Sequence, residues 1–108
     1  MKTITLIILA TFVAAGSTLA ADAKALWSAN CAQCHGPDGS GNTPMGKKLG
    51  AMNLTDASKQ ASFSDTQAAA AIKDGVKQNG KMAMKAFGDK LSDADIKALV
   101  TYVRGLKK

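Results

Sequence analysis

Cys31-Ala32-Gln33-Cys34-His35 holds both cysteines and the only histidine of the 108-residue chain. Two thiols three residues apart at the end of a helix lie on one side, where each can form a thioether to one vinyl group of a haem. The adjoining imidazole is then delivered to the iron as an axial ligand. Three other uses of these residues fit less well. A thioredoxin-like redox pair wants a βαβ setting, which the surrounding pattern lacks. A structural zinc ion wants four N or S ligands, and Cys31, Cys34 and His35 make three. A simple disulfide suits an exported protein but leaves the lone histidine without a task. The motif therefore predicts one covalently attached haem c, bound through Cys31 and Cys34, with His35 on its iron.

Outward from the motif, core material is scarce. Hydrophobic residues make up 46% of the chain, but thirteen of them fall in the first twenty positions. Among residues 21–108 only 13 of 88 are Leu, Ile, Val or Phe, a fraction that warns of disorder when net charge is high. Chains this small bury only about 60 to 65% of their unfolded surface. Such a composition excludes a multidomain enzyme or a large α/β fold, and it calls for a cofactor to fill the middle.

Residues 1–20 read as an export signal to be cleaved after Ala20. Lys2 supplies the positive start, Ile4 to Ala15 the apolar stretch, and Thr18-Leu19-Ala20 the small-residue site. The apolar run is broken by Thr11, Gly16 and Ser17 and is too short to span a membrane. The expected product, residues 21–108, is a single exported domain with no stable membrane insertion, in a compartment that tolerates oxidised cysteines. It carries 13 basic residues against 8 acidic ones, with no Glu and with Arg104 as the only Arg. Export argues against nucleic acid as the partner, and so does the scarcity of the Arg and aromatic residues that read bases. An acidic protein surface is the better match for this charge.

Residues 22–33 suit a helix running into the cysteines, with Leu26, Trp27, Asn30 and Cys31 on one side. From Gly36 to Asn53, five glycines with Pro37 and Pro44 predict a loop. Gly46-Lys47-Lys48 lacks the hydroxyl and the preceding strand of a phosphate-binding loop. Ser64-Asp65-Thr66-Gln67 is a capping box that starts a helix through Asp74, and Gly75 is placed to end it in the left-handed conformation. Val76 to Gly88 shows no sustained period and reads as a second loop. Ser92 caps a last helix whose Ile96, Leu99, Val100, Val103 and Leu106 keep helical spacing, with Arg104, Lys107 and Lys108 complementing its C-terminal dipole. No stretch alternates like a strand.

With His35 on one side of the iron, the other axial position falls to a methionine, to a lysine or to nothing. Met45, Met52, Met82 and Met84 are the candidates. A ligand reaching the opposite haem face belongs on a distant loop, which favours Met82 or Met84 over Met45. At this point the chain resembles the small bacterial class I cytochromes c. The resemblance covers the whole of residues 21–108. It rests on Cys31 to His35 continuing into Gly36-Pro37-Asp38-Gly39, on Leu54-Thr55-Asp56, on Ile72 to Gly75, on Met84-Lys85-Ala86-Phe87 with Leu91-Ser92-Asp93, and on the helix from Ile96 to Leu106.

The resemblance implies an all-α cytochrome c fold, three to four helices with long Gly-rich loops wrapped around one haem. Met84 to Phe87 is similar to the family's Met-Pro-Ala-Phe loop, with Lys85 in place of Pro. That makes Met84 the implied second axial ligand and Met82 the runner-up. Pro44 resembles the residue whose carbonyl accepts a hydrogen bond from the ligating histidine, with Pro37 as the alternative. Ala23 and Trp27 match the face that crosses the last helix at Leu99 and Tyr102. Leu49, Leu54, Phe63, Ile72, Phe87, Leu91 and Leu99 are the expected haem wall.

The function implied is that of a periplasmic, monomeric one-electron carrier with His/Met ligation and no catalysis of its own. Lys47, Lys48, Lys81, Lys85 and Lys90 would form a basic rim that steers acidic redox partners. Two alternatives share the same motif: a haem sensor or small-ligand binder with a labile sixth site, and the haem subunit of a larger oxidoreductase. A peroxidase is disfavoured, because no distal His or Arg is identified to cleave a peroxide bond.

Overall fold

Trp27 and Leu99 are the largest fully buried side chains, and they mark where the first and last helices cross. The structure is a computed structural model and describes residues 18–108. Helix α1 runs over Thr18–Asn30 and α6 over Asp93–Arg104. Ala23 is buried on the α1 face of this crossing, and the Trp27 ring packs against Tyr102 at 5.4 Å between centroids. Trp27 Nε1 is not left bare in the core, because it donates to the Gly36 carbonyl at 3.0 Å. The opening helix thus begins earlier than expected and stops at Asn30, before the cysteines. Of the export segment, the n-region and apolar stretch lie outside the described residues.

The predicted capping box at Ser64 is present, and the N-cap expected at Ser92 is a capping box as well. Ser64 and Gln67 exchange side-chain and backbone bonds at the start of α5 (Asp65–Asp74), and Ser92 and Asp95 do the same for α6. The apolar stripe of α6 buries Ile96, Leu99, Val100 and Val103, as its spacing requires. Gly75 has the positive φ of 77°, but its ψ of −178° makes it extended rather than left-handed helical. The chain leaves α5 straight, and a Cβ there would meet the Met84 carbonyl oxygen at 2.6 Å.

Two expectations about the connecting segments are corrected, and one further short helix appears. The stretch after the cysteines contains α3 (Pro44–Leu49), started by Thr43 as N-cap and Pro44 at the first helical position. A further turn, α4 (Ala57–Ala61), is capped by Asp56, whose side chain accepts from Ser58 N and Lys59 N. The segment expected as a second loop is an antiparallel hairpin, β1 (Val76–Gln78) and β2 (Lys81–Met84). Asn79 and Gly80 both have positive φ, 53° and 77°, as a two-residue hairpin turn with the native twist demands. With the four-residue α2 (Ala32–His35) there are six helices among the described residues, half of them of six residues or fewer. The domain remains mainly helical. No helix of the described residues is long and apolar enough to cross a membrane.

Candidate functional site

The cysteine motif sits on a tight corner. Asn30 ends α1, Cys31 N still donates to Trp27 O at 2.8 Å, and the backbone turns again at once, with His35 N donating to Cys31 O at 3.0 Å. This single turn, α2, is what puts Cys31, Cys34 and His35 on one side. Cys31 is buried, Cys34 is half-buried, and both are free thiols. Burial pushes the Cys31 thiol up to about 11, with the neighbouring Cys34 adding to the rise. The thiol is therefore neutral at neutral pH.

His35 is held from both sides. Its ring lies 5.8 Å from that of Trp27, and its Nδ1 lies 3.1 Å from the Met52 carbonyl oxygen. Burial lowers the imidazole pKa, and the Met52 contact partly opposes that. A neutral ring donating from Nδ1 to Met52 leaves Nε2 free as a ligand. The partner expected here was the Pro44 carbonyl, and the structure corrects it. Pro44 opens α3 at the exposed surface, whereas the left-handed Gly50 (φ 72°) reverses the chain so that Ala51 and Met52 return toward the motif.

Two residues not singled out from the sequence fasten α3 to the motif. Thr43 Oγ1 donates to the Cys34 carbonyl at 2.7 Å and accepts from Gly46 N at 2.8 Å. Gly46 is buried directly against this contact, and a Cβ there would fall on the Cys34 carbonyl oxygen. The Thr-Pro pair before an apolar residue is a helix-start signal that could have revealed this anchor.

The corner opens onto a cavity of about 520 Å³ that Cys31, Cys34, His35 and Met84 all border. Six of the seven expected wall residues line it: Leu49, Leu54, Phe63, Ile72, Phe87 and Leu99. The seventh, Leu91, is corrected. It is buried in the core but does not reach the cavity. Size and lining suit a large flat apolar group with a few fixed polar contacts. The donor set suits iron, with one imidazole, the thioethers of Met52, Met82 and Met84, and two thiols that can be alkylated. Among the described residues no group of three or more His, Cys, Asp or Glu is arranged to hold a bare metal ion.

The hairpin decides how the methionines are presented. Phe87 N and Gly88 N donate to the carbonyls of Ile72 and Lys73, at 2.9 and 3.0 Å, which ties the segment after β2 to the end of α5. Met84 is half-buried and packs against the core. Met82 and Met52 also border the cavity but are 44% and 38% exposed, and Met45, 39% exposed, does not border it. The register slips between Val76 and Lys77, which pair with Met84 and Met82. That bulge in β2 breaks the regular alternation and separates the two methionines in environment. Of the five lysines expected at a rim, Lys85 borders the cavity, and Lys47, Lys48, Lys81 and Lys90 are exposed.

Comparisons with known proteins agree with this geometry. Residues 20–107 match the family model described as Cytochrome c. The chain is 38% identical to a cytochrome c6 of Synechococcus sp. over 93% of its own length and 83% of that protein's. It is 39% identical to the Cbb3-type cytochrome c oxidase subunit FixP of Azorhizobium caulinodans over 86% of its own length. It spans only 28 to 29% of the oxidase subunits it matches. Among solved structures, the KustC0563 c-type cytochrome superposes with a TM-score of 0.73 at 39% identity, covering 81% of this chain and 99% of that one.

Proposed function

Because the chain belongs to the cytochrome c family, whose cofactor is a covalently bound haem c, we propose that it is a periplasmic one-electron carrier with His35 and Met84 as the axial pair. The observation that carries this reading is that one apolar cavity is bordered by Cys31, Cys34, His35 and Met84 together. Bound there, the haem iron supplies a ferric/ferrous couple. Cys31 and Cys34 hold the group as thioethers, so it cannot dissociate. His35 binds through Nε2, and its Nδ1 bond to Met52 sets the ring orientation and strengthens it as a ligand. The Met84 thioether favours ferrous iron and raises the potential. Ile72, Phe87 and Leu99 exclude water from the cavity wall. With His35 and Met84 both holding the iron, small molecules would be kept off it, and no catalysis is expected. Lys85 at the cavity border, together with the exposed Lys47, Lys48, Lys81 and Lys90, steers acidic redox partners into a small, transient encounter.

The likeness to FixP favours a second reading, in which such a domain serves as the haem module of an oxidoreductase rather than as a free carrier. Size exclusion of native extract separates the two.

The mass of the purified protein and its pyridine haemochrome spectrum test covalent attachment together. Met84→Ala should abolish the weak red charge-transfer band of ferric His/Met haem, and Met82→Ala should leave it. The reverse result would transfer the ligand role to Met82. Rapid, complete carbon monoxide binding to the reduced wild type at neutral pH would favour the ligand-binding alternative instead.

A further inference from the structure

Arg104, the only arginine of the chain, spends its guanidinium on the corner between α4 and α5. Nε donates to Asp65 Oδ1 at 2.8 Å, Nη1 to Gln60 Oε1 at 3.0 Å, and Nη2 to the Phe63 carbonyl at 2.7 Å. Its central carbon also stands 4.5 Å over the Phe63 ring centroid. Gln60, 3% exposed, extends the network inward, donating from Nε2 to the carbonyls of Leu54 and Val103 at 2.7 Å each. Leu54, Phe63 and Val103 come from three separate segments, and all three border the large cavity. One guanidinium and one amide therefore hold three pieces of the same wall.

The position of Phe63 gives this network a consequence. A second, open hollow of about 370 Å³, bordered by Ala57, Gln60, Ala61, Phe63, Arg104 and Lys107, lies outside that wall. Phe63 borders both spaces. It is the one residue that borders both, and its backbone and ring are both held by Arg104.

We propose that Arg104 and Gln60 are positioning residues that hold Phe63 closed against the haem, keeping that side of the pocket dry and the reduction potential high. The inference rests on the haem reading above. Ferric haem carries one more positive charge than ferrous haem, so water admitted past Phe63 stabilises the ferric form and lowers the potential. A lysine keeps the charge of Arg104 but lacks the planar fork that reaches Asp65, Gln60 and Phe63 at once. Charge alone and positioning therefore predict different results for Arg104→Lys.

The test uses the holoprotein in three forms, Arg104→Lys, Phe63→Leu and the double variant, each titrated spectroelectrochemically. Ring-proton signals of Phe63 are followed in the ferrous wild type and in Arg104→Lys. Arg104→Lys should shift the ferric/ferrous equilibrium toward ferric at least threefold, about 28 mV at 59 mV per tenfold, and should speed flipping of the Phe63 ring. Phe63→Leu should lower the potential likewise, and adding Arg104→Lys to it should change little further, because the arginine acts through that ring. An unchanged potential in Arg104→Lys, or two shifts that simply add, would overturn the proposal. If Arg104→Lys yields no holoprotein, an unchanged potential in Phe63→Leu overturns it alone. Absence of a haemochrome spectrum in the wild type would instead strike the haem reading itself.

Discussion

Gly46→Ala sets two effects of opposite sign against each other at the site's anchor. Gly46 is helical and has no positive φ, so alanine should gain about 1 kcal/mol of helix propensity. Against this, the added Cβ would fall on the Cys34 carbonyl oxygen and lie 2.6 Å from the Gly41 carbonyl oxygen and 2.7 Å from Thr43 Oγ1. Two of these neighbours are backbone atoms of the motif and its loop, which cannot rotate away. Overpacking of this kind costs about 1 to 3 kcal/mol. Separating α3 from the motif also weakens the bonds from Thr43 to Cys34 and from Gly46 to Thr43, at about 1 kcal/mol each. The clash wins, with a net loss of about 2 to 3 kcal/mol, or roughly 10 to 20 °C in the melting temperature of a domain this size. Thermal unfolding of the holoprotein, followed by far-ultraviolet circular dichroism, measures it. Gly50→Ala is the control, since Gly50 is left-handed (φ 72°) but has nothing within 4 Å of a Cβ. It should lose about 1 kcal/mol from backbone strain alone. A Gly46→Ala midpoint at or above wild type, or a drop no larger than that of Gly50→Ala, would refute the reasoning.

Ser92→Ala should destabilise the holoprotein by about 1 kcal/mol, read as a lower denaturant midpoint at unchanged slope, because it removes the hydroxyl that caps Asp95 N. Hydrogen bonds from Ser40 hold the Asp38 carboxyl below its ordinary value, and bonds from Ser58 do the same for Asp56. Their folded forms therefore bind protons less readily than the unfolded chain. The stabilisation is complete above the ordinary carboxylate pKa and is lost as pH falls below it, so the melting temperature should drop on the acid side and less so in Asp38→Asn. Protein made without haem should be largely unfolded by circular dichroism. Leaving a cavity of about 520 Å³ unfilled costs up to about 12 kcal/mol at about 24 cal/mol per Å³, comparable with the whole stability of a small domain. Cooperative melting of the apoprotein would refute this.

Legibility in the sequence followed the range of each signal. Ser64 with Gln67 and Ser92 with the stripe from Ile96 to Val103 are local patterns, complete within a turn or two, and both helices appeared where those patterns lie. Helix α3 was hidden by the glycines and prolines around it, and the hairpin by strands too short to show a period. Thr43-Pro44 announces α3, Asp56 announces α4, and Asn79-Gly80 between short strands is a hairpin turn. Pro44 failed for another reason. Which carbonyl meets His35 Nδ1 depends on the reversal at Gly50, seventeen residues separating donor from acceptor. Nothing in the spacing of His35, Pro44 and Met52 encodes that choice. The Arg104 network was equally hidden, since it joins residues about forty apart.

The scarcity of apolar residues and the abundance of short capped turns have one cause. A core of Trp27, Leu54, Ile72, Phe87 and the α6 stripe is enough to surround a cavity but not to close one. Without long helices to pack against each other, the segments between α1 and α6 are held by specific polar fasteners: Thr43 on Cys34, Gln60 on Leu54 and Val103, Arg104 on Phe63. Each fastener reaches a residue of the motif or of the cavity wall. Hydrogen bonds contribute little net stability, yet an unpaired buried partner is costly, so such contacts fix geometry more than they add free energy. That division of labour suits an electron carrier, where the bound group supplies the apolar mass and the polypeptide fixes the distances around it. It also explains why the most consequential substitutions are expected at Gly46 and Arg104, neither of which belongs to the hydrophobic core.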